Sequence, residues 1–225
     1  MPLGFVQRFG VLGGSFNPVH VGHLSIAQQI LDAHRLEKVF LIPASVSPFK
    51  QDDPDLAPAA DRLTMCRLAV QNLKGLDVSA LELNRPPPSY TVDTARALRA
   101  AYGPKAEIRL ILGSDALAEL PAWKEAKELM ELCDFAVALR RNTPLNEELW
   151  EQVRAGLGEA AADKLRSAVT RVEPVDVSST LIRKLLRDGE TIPGYLRRPV
   201  EDYIRGKGLY GAPRTPRRVS RIAHN

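Results

Sequence analysis

The chain has 225 residues, 44% hydrophobic and 26% charged. That is long enough for a sizeable core and close to the globular average, so disorder along the whole length and fibrous repeats are excluded. The net charge of +4 comes from residues 211–225, where Arg214, Arg217, Arg218 and Arg221 stand without an acid, leaving 27 charges of each sign over 1–210.

A balanced folded part argues against a nucleic-acid-binding domain. No apolar run approaches the roughly 18–20 residues of a membrane span, and Met1–Gly10 lacks the basic-then-apolar layout of a secretion signal. Cys66 and Cys133 fit no metal-ligand spacing and sit in apolar stretches, so they read as buried reduced thiols in a cytoplasmic protein. Composition carries no signal of oligomeric state.

Along the chain, Phe9–Gly14 reads as a short buried strand, followed by a helix over about His20–Arg35 and a second strand at Lys38–Pro43. A polar, Pro-rich loop spans Ser47–Pro58. Ala59–Leu73 has helical period, with Leu63, Cys66, Val70 and Leu73 expected on its buried side. Leu76–Leu83 alternates as a strand does, and the loop Asn84–Ser89 follows. A helix near Val92–Ala101, a strand at Ile108–Gly113, a helix after Pro121 and a strand at Phe135–Leu139 come next. The last third is expected to be mostly helical: Asn146–Ser167, then a strand at Thr170–Val175, then helices near Ser179–Arg187 and Pro199–Gly206. Strands separated by helices predict an α/β fold, a Rossmann-like doubly wound parallel sheet with helices on both faces. We read residues 1–210 as one domain with a helical C-terminal part from about 146, and 211–225 as a basic, disordered tail.

Ligands of such sheets bind beyond the carboxyl ends of the strands. The first strand runs into Gly13-Gly14-Ser15-Phe16-Asn17-Pro18-Val19-His20-Val21-Gly22-His23. Glycines there admit a ligand close to the backbone, and a helix start favours anions. His20 and His23, three apart, share one face and can both donate to a phosphate; capping and packing are the plainer alternative. Neither GxGxxG nor the P-loop motif is present. A second anion site is expected at Val177-Ser178-Ser179-Thr180-Leu181-Ile182-Arg183, where a Ser caps a helix and Arg183, one turn on, returns to clamp phosphate oxygens. Asp115, after a buried strand, is placed to accept from ribose hydroxyls. Trp123 can stack on a flat ring, and Lys50 can reach a phosphate; a cap, core packing and plain solvated surface are the respective alternatives.

Together these segments resemble the (H/T)xGH nucleotidyltransferase superfamily and, within it, the bacterial nicotinate mononucleotide adenylyltransferases. Beyond His20-Val21-Gly22-His23, the resemblance rests on Ser89-Tyr90-Thr91-Val92-Asp93-Thr94, Gly113-Ser114-Asp115, Leu120-Pro121-Ala122-Trp123, Val200-Glu201-Asp202-Tyr203-Ile204 and Gly208-Leu209-Tyr210. It implies transfer of AMP from ATP to nicotinate mononucleotide in NAD biosynthesis, with Mg²⁺ bound with ATP, no metal held by the protein alone, and no nucleic-acid or membrane partner. It also implies the roles. Gly14, Ser15, Phe16, His20, His23 and Asp115 would bind ATP, Ser179, Thr180 and Arg183 would hold the departing pyrophosphate, and His20, His23 and Arg183 would be catalytic. Lys50, Thr91, Trp123, Lys124 and Arg140 would bind the mononucleotide. Ser15 and Asn17 replace the commoner Thr and Asp, Ala122 a common Thr, and Arg141-Asn142 a common Pro-Gly. An enzyme preferring the amide mononucleotide or another phosphorylated acceptor, and a non-catalytic nucleotide-binding module, are the alternatives.

Overall fold

The computed structural model describes residues 7–46, 53–139 and 145–213. Six strands form one sheet: β1 (Arg8–Gly14), β2 (Lys38–Pro43), β3 (Leu76–Val78), β4 (Glu107–Gly113), β5 (Asp134–Leu139) and β6 (Val169–Arg171). Their order is β3-β2-β1-β4-β5-β6, and every neighbouring pair is parallel. The chain first winds outward from β1 to β3, then returns to place β4 against the other side of β1. The β1/β4 boundary is therefore the switch point at which doubly wound sheets open a crevice.

Because strand side chains alternate between faces, the core divides in two. Phe9, Val11, Phe40, Ile42, Ile108, Leu110, Leu112, Phe135 and Val137 pack with α3 (Thr91–Tyr102), α4 (Ala126–Leu132), α5 (Glu147–Leu157) and α6 (Glu159–Ser167). Leu12, Val39, Leu41, Ile111 and Ala136 face α1 (Val21–Ala33), α2 (Ala59–Val70), α7 (Ser179–Arg187) and α8 (Arg198–Lys207). The α/β doubly wound expectation is met. Both cysteines are buried free thiols, and burial pushes the Cys133 thiol up to about 11. No helix among the described residues is long and apolar enough to cross a membrane.

Several boundaries differ from the sequence expectation. The strand expected over Leu76–Leu83 ends at Val78; the chain then turns, and the Glu82 carboxylate accepts from the Thr94 hydroxyl at 2.7 Å instead of pointing along a ladder. The helix after Pro121 starts only at Ala126, behind a short 3-10 turn at Leu120–Ala122 and the left-handed Glu125. The single helix expected over Asn146–Ser167 is two, α5 and α6, broken at Gly158, whose φ of 94° stops the first. The strand expected over Thr170–Val175 is only Val169–Arg171. In α2 the buried side runs through Arg62, Met65, Cys66 and Ala69, while Leu63, Val70 and Leu73 are only partly covered. The packed part continues past 210, since Ala212 is buried in the core; residues 214–225 lie outside those described.

Candidate active site

The site grows from the carboxyl end of β1. Beyond Gly14 the backbone turns sharply, with Phe16 at φ 48°, and its N–H makes no hydrogen bond to the described residues. The buried Asn17 side chain fixes the turn. Its amide donates to the Asp55 carbonyl at 3.0 Å, and its oxygen accepts from the Ala57 N–H at 3.0 Å and the Tyr210 hydroxyl at 2.8 Å. An aspartate here could accept both but could not donate to Asp55, so asparagine is the better fit to this turn.

The turn delivers the chain into α1 with His20 at the N-cap. The His20 backbone N–H donates to His23 Nδ1 at 3.3 Å, so the neutral His23 ring carries its proton on Nε2. The two imidazoles lie 3.7 Å apart and 32° from parallel, and Phe16 abuts the His23 ring edge-on at 5.0 Å. Gly22 explains the spacing of the motif: a Cβ there would come within 3.0 Å of both His20 Nδ1 and Val177 Cγ1. Substituting Gly22→Ala should therefore displace the His20 ring. With His20 in the role that the resemblance implies, we expect kcat to fall roughly tenfold, because sub-ångström misplacement of a group that holds the reacting atoms is costly. The Tm should change little, since alanine's better helix propensity offsets the crowding. Steady-state kinetics beside a thermal melt checks this; unchanged kcat would show that the ring accommodates the methyl group.

The segment expected to form the second anion site adjoins the turn that carries the first. Ser178 caps α7 by accepting the Leu181 N–H at 3.1 Å. The Ser179 hydroxyl donates to the Pro18 carbonyl at 2.9 Å, and Arg183 donates to the Asn17 carbonyl at 2.9 Å. The start of α7, which includes Thr180, is thus tied to the turn that carries the histidines. Asp55 lies 3.8 Å from Arg183 Nε and accepts two 3.0 Å bonds from Arg187.

On the other side of the turn, a cavity of about 440 Å³ is lined by Gly14, Ser15, Glu82, Thr91, Trp123 and Lys124, among others. Thr91 begins α3, whose N-cap Tyr90 supplies no side-chain bond to the first-turn N–H groups. The Trp123 indole N–H is buried and has no partner among the described residues. The Lys124 ammonium lies over the Tyr90 ring at 4.6 Å and 3.5 Å from Asp93. Burial pushes the Glu82 carboxyl up, opposed by hydrogen bonds from Thr94 and Ser89 and by Arg85.

The expected residues thus fall into two groups that meet at Gly14–Phe16. His20, His23, Ser179, Thr180 and Arg183 lie on the α1/α7 side; Thr91, Trp123 and Lys124 lie on the cavity side. Asp115 is exposed in a short 3-10 turn after β4, at the same end of the sheet but outside the cavity lining. Lys50 and Arg140 lie outside the described residues. Sequence reasoning missed Arg62, Glu82 and Asp55. Arg62 stands in register with Met65, Cys66 and Ala69 at helical spacing, but spacing alone does not mark an arginine as buried, because arginine is seldom buried.

Residues 11–185 match the Cytidylyltransferase-like family. The chain is 37% identical over 215 residues to a probable nicotinate-nucleotide adenylyltransferase of Pseudomonas putida (strain W619), covering 92% of this chain and 97% of that one. It is 38% identical over 209 residues to a protein of the same description from Synechococcus sp. (strain JA-3-3Ab), covering 92% and 96%. Plasmodium falciparum nicotinic acid mononucleotide adenylyltransferase, solved in complex with NaAD, superposes with a TM-score of 0.72 at 18% identity, over 92% of this chain and 98% of the other, which shows a common fold. With matching sequence over nine-tenths of its length and the doubly wound sheet that the family shares, this chain belongs to the nicotinate-nucleotide adenylyltransferases.

Proposed function

We propose that the chain transfers AMP from ATP to nicotinate mononucleotide, giving nicotinate adenine dinucleotide and pyrophosphate. The observation that carries the reading is the turn Gly14–Asn17. Its first residues line the cavity, its Phe16 N–H makes no hydrogen bond to the described residues, and its Asn17 carbonyl holds Arg183. Two substrates bound on either side of that turn would have their phosphates side by side.

In this reading an oxygen of the mononucleotide phosphate attacks the α-phosphorus of ATP in line. The bond to the bridging oxygen breaks, and pyrophosphate leaves with the electron pair. The protein's task is positioning and charge stabilisation. His20 and His23 hold phosphate oxygens as the α-phosphorus becomes five-coordinate, while Ser179, Thr180 and Arg183 retain the leaving pyrophosphate. Asp115 takes the adenosine ribose, and Trp123 stacks on the pyridine ring with Thr91 and the Lys124 N–H near its carboxylate. Lys50 and Arg140 neutralise the mononucleotide phosphate. When bound with ATP, Mg²⁺ would be held by the triphosphate oxygens, the hard donors it prefers, and would supply charge neutralisation there; among the described residues no cluster of three or more His, Cys, Asp or Glu is placed to hold a metal ion. The reading fits a cytoplasmic protein, where ATP is available and Cys66 and Cys133 would stay reduced.

Preference for the acid over the amide acceptor is supported by the start of α3, where an uncapped helix N-terminus favours a carboxylate. With ATP and Mg²⁺, we expect kcat/KM for nicotinate mononucleotide to exceed that for nicotinamide mononucleotide about tenfold or more, the scale of a helix-terminus charge interaction in a half-buried site. An equal or reversed ratio would assign the chain to the amide acceptor.

A further inference from the structure

Arg62 is 1% exposed, the most enclosed charged side chain described. Its guanidinium donates to four main-chain carbonyls and to no carboxylate among the described residues: Ala57 at 2.9 Å, Ser15 at 2.8 Å, Ala44 at 2.6 Å and Ser45 at 2.6 Å. Its titratable neighbours Tyr210 and Cys66 are both pushed up by burial and stay neutral. Burying a cation without an anion is unfavourable, and bracing three loops asks only for a neutral donor. The positive charge itself therefore calls for an explanation.

The explanation lies across one peptide plane. The Ser15 carbonyl that accepts from Arg62 shares its peptide with the Phe16 N–H. That peptide is trans, so the N–H points away from the guanidinium. The N–H makes no bond to the described residues. A cation at the carbonyl end polarises the peptide and makes its N–H a stronger donor. We propose that Arg62 is a positioning residue that delivers a buried positive charge, through the Ser15–Phe16 peptide, to the phosphates bound at the turn. The inference rests on the proposed binding of the ATP phosphates there.

The test compares the full chain with Arg62→Gln and Arg62→Lys, measuring calorimetric affinity for inorganic pyrophosphate and for adenosine, with circular dichroism to confirm folding. A merely structural brace would weaken both ligands alike. The inference expects Arg62→Gln to weaken pyrophosphate roughly tenfold, the worth of one charge-assisted hydrogen bond, with adenosine changed less than about twofold. Arg62→Lys keeps the charge and should hold pyrophosphate within about threefold of the unaltered chain. If Arg62→Gln does not fold, Arg62→Lys decides alone. Equal losses for both ligands, unchanged pyrophosphate affinity in folded Arg62→Gln, or a tenfold loss in folded Arg62→Lys overturns the inference. Failure of the unaltered chain to bind pyrophosphate in competition with ATP would instead overturn the phosphate-binding reading itself.

Discussion

His20→Ala should lower kcat by at least ~10²-fold, the scale of losing one preorganised donor to a developing phosphoryl charge. His20 is 8% exposed, and its ring is held by stacking on His23 and by the absence of a side chain at Gly22. A donor so fixed reorganises little during the reaction, and its effect should fall on kcat more than on the KM for ATP. The fold should survive, because the His20 main-chain N–H that donates to His23 remains in the variant. Steady-state kinetics on a variant with an unchanged circular dichroism spectrum is the check. Near-normal turnover would remove His20 from the reaction.

Arg183→Ala should cost more, about 10³-fold in kcat/KM for ATP, between the loss of a single neutral donor and that of an arginine finger. The side chain is 13% exposed and joins α7 to the signature turn through Asn17. Its removal would take away the proposed charge-assisted clamp on phosphate and one of the bonds between α7 and the turn after β1. Arg183→Lys should recover only part of the loss, since an ammonium cannot bond the Asn17 carbonyl and two phosphate oxygens in the fixed fork of a guanidinium. A loss below tenfold in Arg183→Ala would mean that pyrophosphate is held elsewhere.

The sheet was legible because its strands are continuous apolar runs. Val39–Ile42 and Phe135–Ala138 are buried on both faces, so their hydrophobicity needs no period to be noticed. The short edge strands were not: β3 and β6 have three residues each, and the alternation of Leu76–Leu83 continues past the point where Glu82 turns into the cavity. The signature turn was legible as a motif, and the approach of α7 to it was expected only through resemblance, since no local pattern tells that Ser179 bonds Pro18, 161 residues away. Arg62, Glu82 and Asp55 were hidden for a different reason. Each is a charged residue whose partners are backbone carbonyls, hydroxyls or residues distant in sequence, and a linear pattern records none of these.

The proposed reaction depends on two anion sites on one turn holding a single triphosphate beside the phosphate of a pyridine mononucleotide. Its most direct test is to follow dinucleotide and pyrophosphate together in a mixture of the pure folded protein, ATP, Mg²⁺ and nicotinate mononucleotide. Equal amounts of nicotinate adenine dinucleotide and pyrophosphate are expected, with no exchange of labelled pyrophosphate into ATP when the mononucleotide is left out. No dinucleotide, or rapid exchange without the acceptor, would contradict it.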